Sequence, residues 1–250
     1  SFSGVLLVVN ETGLHQVWYD AENDRFDDAL VMADEWVGAT TLRTIDLDGA
    51  NSMDIVGIDA TSTDILIGYS TRPDAVAFAD PIVFTPGGTV LDVALVDWDG
   101  DVATDVVALT DQGLIVHDAL GAPLATVPPP PGASVLPLIA PLRDSLPGQR
   151  VAWFVLDEGA RHMLVDGQDV SHPPVDLSSI GVVATNAVDY DQDGYVDLFL
   201  SRDDGHWVTM LRGNDTGRFS TFDELRFLVD SPMPPDMSGN VVRPIVADFD

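Results

Sequence analysis

The sequence predicts an all-β fold built from repeated four-stranded units, and three observations support this prediction. An aspartate-rich string recurs along the 250 residues. Short runs of Val, Ile, Leu and Thr alternate with turns rich in Gly, Asp, Asn and Pro, a pattern typical of short strands. No segment of the sequence shows a sustained helical period. The first apolar run, residues 4–9, is too short and lacks the basic flank of a signal peptide, so we interpret it as a strand.

The recurring string, which we call an aspartate ladder, is a nine-residue loop with Asp at positions 1, 3 and 9. Two of the three complete copies also have Asp at position 5. The copies span residues 46–54, 97–105 and 189–197, and a fourth begins at Asp248 and Asp250. Converging carboxylates repel one another, so such a loop needs a cation among them. Hard oxygen ligands of this kind suit Ca²⁺ better than Mg²⁺, which prefers a tighter octahedron with retained waters.

The composition excludes several classes of function. The formal net charge is −30, with 36 Asp, five Glu and no Lys. A surface this acidic repels phosphates and anionic lipids, so we predict no nucleic-acid partner. No segment approaches the roughly 20 apolar residues of a membrane helix, so we predict no direct membrane insertion in this segment. The absence of Lys fits either a GC-rich genome or adaptation to high salt. The absence of Cys excludes disulfides, thiol catalysis and Cys-ligated metals.

The spacing of the ladders predicts the unit boundaries. The ladders begin at residues 46, 97, 189 and 248, and the long step of 92 residues is close to twice 46. A degenerate copy is therefore expected near residue 143, where the spacing persists without the carboxylates. We interpret the chain as one domain, or a fragment of one, with units at about 1–45, 46–96, 97–142, 143–188 and 189–247, and with 248–250 opening a further repeat.

Each unit repeats the same order of elements. One apolar strand leads into the ladder, a second follows its last Asp, a third follows a short polar turn, and a weaker fourth completes the unit. The predicted second strands begin at Ile55, Val106 and Leu198. Repeats of about 40–60 residues with four strands each are typical of a β-propeller. The residue at ladder position 2 is always large and apolar, and we expect it to wedge between neighbouring blades: Leu47, Trp98, Tyr190 and Phe249.

The ladder string followed by an apolar strand resembles the FG-GAP/VCBS repeat, the calcium-binding β-propeller unit of the integrin-α type. The resemblance extends over the whole chain through its period. It is closer to the VCBS variant, because the full Phe-Gly…Gly-Ala-Pro string of the integrin type is not evident. Propellers of this family commonly have seven blades. The resemblance therefore implies either a fragment of a larger ring or closure with five blades.

The resemblance also implies a set of calcium ligands. The side chains at positions 1, 3, 5 and 9 and the backbone carbonyl at position 7 would bind two to three Ca²⁺ ions. Ala50 has no side-chain oxygen for position 5, so the first site is expected to be weaker. Val102 departs from the residue types that suit a positive φ at position 6. The implied ligands are Asp46, Asp48, Ser52 and Asp54; Asp97, Asp99, Asp101, Ala103 and Asp105; Asp189, Asp191, Asp193, Tyr195 and Asp197; and, for a partial site, Asp248 and Asp250.

The function that the resemblance implies is that of a calcium-stabilised scaffold for adhesion or binding, with a protein or glycan partner. Weak calcium sites need a calcium-rich environment, so we expect an extracellular, cell-surface or periplasmic location. One alternative is the propeller domain of a carbohydrate-active enzyme, such as a polysaccharide lyase. Another is an architectural domain of a larger surface assembly. We assign no catalytic residue, because the five His and the Ser residues lack the spacing of known catalytic motifs.

Overall fold

A computed structural model describes residues 6–20, 23–32, 34–50, 52–71, 77–142, 150–165, 168–169, 182–202, 207–214, 219 and 222–226. Within these residues the chain is all-β, with 19 strands and a single short 3-10 helix, Asp34–Trp36. The predicted fold class is confirmed at this level. No helix among the described residues has the length and apolar character needed to cross a membrane.

The strands form five antiparallel sheets in which consecutive strands are neighbours. The first sheet has three described strands and the other four have four each. Their bounds are β1 (Leu6–Asn10), β2 (Gly13–Asp20) and β3 (Arg25–Met32); β4 (Thr40–Ile45), β5 (Asp54–Ile58), β6 (Ile65–Gly68) and β7 (Ile82–Phe84); β8 (Val90–Val96), β9 (Asp105–Thr110), β10 (Gly113–His117) and β11 (Pro123–Val127); β12 (Ser134–Leu142), β13 (Arg150–Asp157), β14 (Ala160–Val165) and β15 (Gln168–Asp169); β16 (Val182–Val188), β17 (Asp197–Arg202), β18 (Trp207–Leu211) and β19 (Phe222–Arg226).

The predicted second strands of the ladder units are β5, β9 and β17, and the predicted third strands are β6, β10 and β18. The apolar run that follows the degenerate copy is β13. These strands lie where the sequence predicts them because each begins at the last Asp of a ladder or just after a Gly- or Asp-rich turn. The stretch 143–149, where the degenerate ladder was expected, lies outside the described residues.

The chain divides into two compact units. The first comprises residues 1–95 and 102–126 and holds the first three sheets. In one of its apolar clusters, the indole of Trp36 is fully buried beside Leu14, Ile55 and Leu66. Gly57 leaves room for this ring, because a Cβ there would lie 2.9 Å from Trp36 Cζ3. Another cluster joins residues of the second and third sheets.

The second unit comprises residues 96–101 and 127–250 and holds the last two sheets. Its main apolar cluster lies between these sheets and includes Phe154 and Met163 from one, and Leu198 and Leu211 from the other. Strand β16 is also tied to β12 by a hydrogen bond from Thr185 Oγ1 to the carbonyl oxygen of Ile139, at 3.2 Å.

The residues at ladder position 2 do not behave alike. Leu47 is buried in the cluster between the second and third sheets, as the wedge prediction requires. Trp98 is half-buried. The prediction is wrong for Tyr190, which is 55% exposed and makes an edge-to-face contact with Phe199 at a centroid distance of 5.6 Å. An amphipathic ring fits such a site because its hydroxyl stays in water. Phe249 lies outside the described residues.

Candidate metal-binding loops

The three ladders occupy equivalent places in their sheets. Each joins the first strand of a four-stranded sheet to the second, as β4 to β5, β8 to β9 and β16 to β17. The Asp at position 9 is therefore the first residue of an internal strand. All three of these side chains, Asp54, Asp105 and Asp197, are buried. The carboxylate at position 9 thus belongs to a strand of the sheet, whereas positions 1 to 8 form the connecting loop.

In the first ladder the buried carboxylate of Asp54 closes the loop. Its Oδ2 accepts a hydrogen bond from the backbone N–H of Leu47 at 2.8 Å, and its Oδ1 accepts one from Ser70 N–H at 2.8 Å. Leu47 lies at ladder position 2 and Ser70 lies just beyond β6. One side chain therefore ties the start of the loop and the neighbouring strand to β5.

The third ladder repeats this arrangement. Asp197 Oδ2 accepts from Tyr190 N–H at 3.1 Å and Oδ1 accepts from Gly213 N–H at 3.0 Å. Burial is the largest effect on the Asp197 carboxyl and raises its pKa. The two N–H donors act in the opposite direction, and the nearby charges of Asp191 and Asp193 raise the pKa further. The net increase in the Asp197 pKa therefore comes first from burial and second from the neighbouring carboxylates.

In each ladder three carboxylates offer oxygen atoms that all lie within 4.8 Å of one another. The first and third ladders contribute positions 1, 3 and 9, and the second contributes positions 1, 3 and 5. The three sets are Asp46, Asp48 and Asp54; Asp97, Asp99 and Asp101; and Asp189, Asp191 and Asp197. The sequence places these acidic residues in the same loops, and the fold brings their oxygen atoms into one small volume.

The other predicted ligands have different surroundings. Asp193 Oδ1 accepts a hydrogen bond from Tyr195 N–H at 2.9 Å, so this side chain shapes the turn at position 5. Of the residues predicted to offer a backbone carbonyl, Ser52 is buried, Tyr195 is half-buried and Ala103 is exposed. Their role as ligands stays a prediction. Asp248 and Asp250 lie outside the described residues.

In the second and third ladders, the position-1 carboxylate accepts hydrogen bonds from backbone N–H groups of its own loop. Asp97 Oδ1 accepts from Gly100 N–H at 2.8 Å in the second ladder, and Asp189 accepts from the backbone N–H groups of Asp193 and Gly194 at 3.1 and 2.9 Å in the third. Asp side chains commonly bond backbone N–H groups a few residues further on. These bonds hold the position-1 carboxylates in place without any contribution from an ion.

Two loop positions adopt the left-handed backbone conformation. At position 4, φ is 73° for Gly49, 83° for Gly100 and 58° for Gln192. At position 6, φ is 90° for Gly194 and 78° for Val102. The second loop therefore has the same positive φ at position 6 as the third, although Val102 is a β-branched residue for which this region is strained.

We expect replacement of Val102 by Gly to stabilise the protein by about 1 kcal/mol. The left-handed conformation costs a non-Gly residue about 1–2 kcal/mol, and the greater entropy of Gly in the unfolded chain offsets part of the gain. The Val102 side chain is 89% exposed, so little packing is lost. Thermal unfolding would show the increase as a rise of about 2–4 °C. The control is Val102→Ala, which keeps a Cβ and should give a much smaller rise; equal rises in both variants would contradict the strain argument.

Two side chains next to the ladders were missed by the sequence reasoning. Arg212, the first residue after β18, donates from Nη1 to Asp191 Oδ2 at 3.1 Å. Tyr69, the first residue after β6, donates its hydroxyl to the carbonyl oxygen of Ala119. Burial raises the pKa of Tyr69 to about 12, and the charges of Asp54, Asp48 and Asp118 add to that increase. Aligning the repeats at the end of their third strands would have placed Tyr69 and Arg212 at the same position.

One histidine belongs to a hydrogen-bonded chain in the first sheet. His15 Nδ1 lies 2.9 Å from Asp28 Oδ2, and His15 Nε2 lies 2.7 Å from Thr12 Oγ1. Thr12 Oγ1 also donates to Asn10 Oδ1 at 2.7 Å. The chain links the turn between β1 and β2 to β3, so it stabilises a hairpin.

Comparison with known proteins supports the fold and leaves the family open. No family model and no curated protein matches the sequence. Among solved structures, BBS1N in complex with ARL6DN is 15% identical with a TM-score of 0.50, and the match covers 76% of this chain. Mala s 1, the major allergen of Malassezia sympodialis, is 12% identical with a TM-score of 0.51, and the match covers 90% of this chain and 78% of the allergen.

At these identities the likeness concerns the fold alone. The fold is β-propeller-like, which agrees with the architecture expected from the repeats. The match spans 56% of the BBS1N chain, a little over half its length.

Proposed function

We propose that this chain is a calcium-stabilised, β-propeller-like scaffold whose surface binds a protein or a glycan. The observation that carries the proposal is the convergence of three carboxylates in each of the three ladders, with oxygen atoms within 4.8 Å of one another. Three negative charges this close repel one another by about 1 kcal/mol per pair in water, and by more where a carboxylate is buried. A divalent cation among them would replace the repulsion with attraction and connect the loop to the strand that follows.

The donor chemistry favours calcium over other metals. All nine grouped side chains are aspartates, and the sequence has no Cys. Hard carboxylate oxygens suit Ca²⁺ and Mg²⁺, whereas the softer transition metals prefer imidazole or thiolate. Ca²⁺ accepts six to eight oxygens in a flexible geometry, so carbonyls at position 7 and waters would complete the shell. We therefore propose two to three calcium ions, with the first ladder weakest because Ala50 offers no side-chain oxygen.

The proposed partner and location follow from the resemblance to the calcium-binding propeller repeats and from the charge. Propeller-like folds present loops at the ends of their sheets, and such loops are common binding surfaces. BBS1N, a structural neighbour, was crystallised in complex with ARL6DN. The formal charge of −30 favours a partner with basic or neutral surfaces. Weak calcium sites fit an extracellular, cell-surface or periplasmic setting, where calcium is abundant.

Removing calcium is the direct test of the metal proposal. A weak extracellular-type site with a Kd of about 0.1–1 mM stabilises the folded state in 2 mM CaCl₂ by about 0.6–1.8 kcal/mol. For a chain of this size, that corresponds to about 1–7 °C in the thermal midpoint. We therefore expect the midpoint measured in 2 mM CaCl₂, roughly the concentration of a calcium-rich extracellular setting, to exceed that in EGTA by about this amount for one ion, and by more for several.

The matched control is a triple variant at the exposed position-3 residues, Asp48→Asn, Asp99→Asn and Asp191→Asn. It keeps side chains of the same shape and removes one charge from each ladder. Its midpoint in CaCl₂ should move toward its midpoint in EGTA. An equal midpoint of the unaltered protein in CaCl₂ and EGTA would overturn the calcium proposal, and an equal rise in MgCl₂ would overturn its selectivity.

Binding of the partner requires a separate measurement. A glycan array probed with the labelled protein in CaCl₂ and again in EGTA would identify a carbohydrate ligand and its dependence on the ladders. A lyase assay on acidic polysaccharides, followed by absorbance at the wavelength of the unsaturated product, addresses the enzymatic alternative. Turnover that disappears on substitution of one acidic residue would replace the scaffold proposal with the enzymatic one.

A further inference from the structure

The residue after the third strand of each ladder sheet faces the position-9 Asp. In the fifth sheet Leu198 pairs with Leu211, so the next residues on the two strands, Asp197 and Arg212, are opposite each other. Gly213 N–H donates to Asp197, which confirms that this part of the chain passes beside the ladder. Residues at this position are therefore placed to modify the electrostatic potential of the loop.

The chemical character of this position differs among the three sheets. Ile55 pairs with Gly68, which places the neutral Tyr69 opposite Asp54. In the third sheet Val106 pairs with His117, which places Asp118 opposite Asp105. The fifth sheet alone among these three has a cation there. The ladders are alike in sequence, but this neighbouring position gives them different local charges.

In the fifth sheet the cation makes direct contact with the ladder. Arg212 Nη1 lies 3.1 Å from Asp191 Oδ2, and the two side chains are 45% and 29% exposed. Asp191 is the position-3 residue of the third ladder and belongs to its convergent group of carboxylates. A guanidinium at this distance forms a charge-assisted hydrogen bond and neutralises part of the ladder's negative charge.

We propose that Arg212 is a built-in counter-ion of the third ladder that competes with the divalent cation for Asp191. The inference rests on the proposed calcium-binding function and names the residue that sets the affinity of one of its sites. The third ladder has four Asp, one more than the first. Arg212 makes the calcium affinity of the third ladder lower than its number of aspartates implies, and it neutralises part of the loop's negative charge when calcium is scarce.

Competition follows from charge and geometry. A calcium ion bound between Asp189, Asp191 and Asp197 places two positive charges close to the guanidinium, which is held by the same carboxylate. Arg212 must either leave Asp191 or share it, and both raise the free energy of the bound state. Both side chains are partly exposed and screened by solvent. We therefore expect an effect of about tenfold in affinity, which corresponds to about 1.4 kcal/mol.

The test uses calcium titration by calorimetry of the full chain in a background that isolates the third ladder. Asp48→Asn and Asp99→Asn weaken the first two ladders at exposed positions. In that background, Arg212→Gln should lower the calcium Kd about tenfold, and Arg212→Lys should leave it close to the parent value. Arg25→Gln is the matched control, because Arg25 is an exposed arginine paired with Asp27 in the first sheet, away from the ladders in sequence. It should change the Kd by less than twofold.

A second measurement needs no calcium. In EGTA, Arg212→Gln should lower the thermal midpoint by a few degrees more than Arg25→Gln, because the third ladder loses its internal neutralisation. An unchanged or higher calcium Kd for Arg212→Gln would overturn the competition. Equal midpoints of the two variants in EGTA would overturn the counter-ion role. If no variant, including the unaltered protein, binds calcium, the proposed function fails together with the competition, while the measurement in EGTA still decides whether Arg212 neutralises the loop.

Discussion

Replacement of Asp54 by Ala is expected to destabilise the protein by about 2–4 kcal/mol, even without calcium. The Asp54 carboxylate is fully buried and accepts hydrogen bonds from the backbone N–H groups of Leu47 and Ser70. Its removal leaves the buried N–H of Leu47 and the partly buried N–H of Ser70 without their acceptor. A buried unsatisfied donor costs about 1–3 kcal/mol, and relief of the repulsion from Asp46 and Asp48 offsets part of the loss. Urea unfolding in EGTA, followed by tryptophan fluorescence, would measure the loss as a lower midpoint at constant slope.

The matched control for Asp54→Ala lies in the same ladder. Asp48 is exposed, and among the described residues it accepts a local hydrogen bond from Ala50 N–H at 2.9 Å. Asp48→Ala should therefore cost less than about 1 kcal/mol in EGTA. In CaCl₂ the two variants should both lose the calcium-dependent part of the stability. Equal effects of the two substitutions in EGTA would show that Asp54 has no role beyond that of a possible ligand.

Replacement of Trp36 by Ala should produce a loss of similar size, about 4 kcal/mol, through a different mechanism. The indole is fully buried between the first and second sheets, where it packs against Leu14, Ile55 and Leu66. Truncation of a buried Trp typically costs about 3–5 kcal/mol, because transfer energy is lost and a cavity remains. The loss should be the same in CaCl₂ and in EGTA, since this cluster contains no ladder residue.

Two further substitutions sharpen the Trp36 prediction. Trp36 Nε1 is buried and has no hydrogen-bond partner among the described residues, so Trp36→Phe removes an unsatisfied donor along with some volume. Its cost should be clearly smaller than that of Trp36→Ala. Leu120 is 74% exposed, and Leu120→Ala should change the stability by no more than about 0.5 kcal/mol. A small effect of Trp36→Ala, comparable with that of Leu120→Ala, would contradict the packing described for the first unit.

The sequence predicted the strands well because ladders and turns mark their ends. The Asp at position 9 is the first residue of β5, β9 and β17, and a continuous apolar run marks each of these strands. The sequence also identified the loops in which carboxylates converge. It could not show which of the acidic residues converge, because that depends on backbone torsions. Positions 1, 3 and 5 meet in the second ladder, whereas positions 1, 3 and 9 meet in the other two.

Other differences have equally local causes. Tyr190 was expected to be wedged between sheets, yet a tyrosine gains more by leaving its hydroxyl in water, and it lies at the surface. Val102 was considered a departure from the turn, yet it adopts the left-handed conformation with φ of 78°. Arg212 was missed because it lies 21 residues from Asp191 in the sequence and reaches it through the pairing of β17 with β18.

The bonds made by Asp54 and Asp197 bear on the kinetics of ion capture. Each uses both carboxylate oxygens to hold backbone N–H groups, so the shape of the loop is established as soon as β5 or β17 pairs with its neighbour. The loop is then already ordered when an ion binds, so binding costs little conformational entropy of the chain. We expect the rate of calcium association to be set by diffusion and by the dehydration of the ion. The chain would complete its tertiary structure first and bind its metal afterwards.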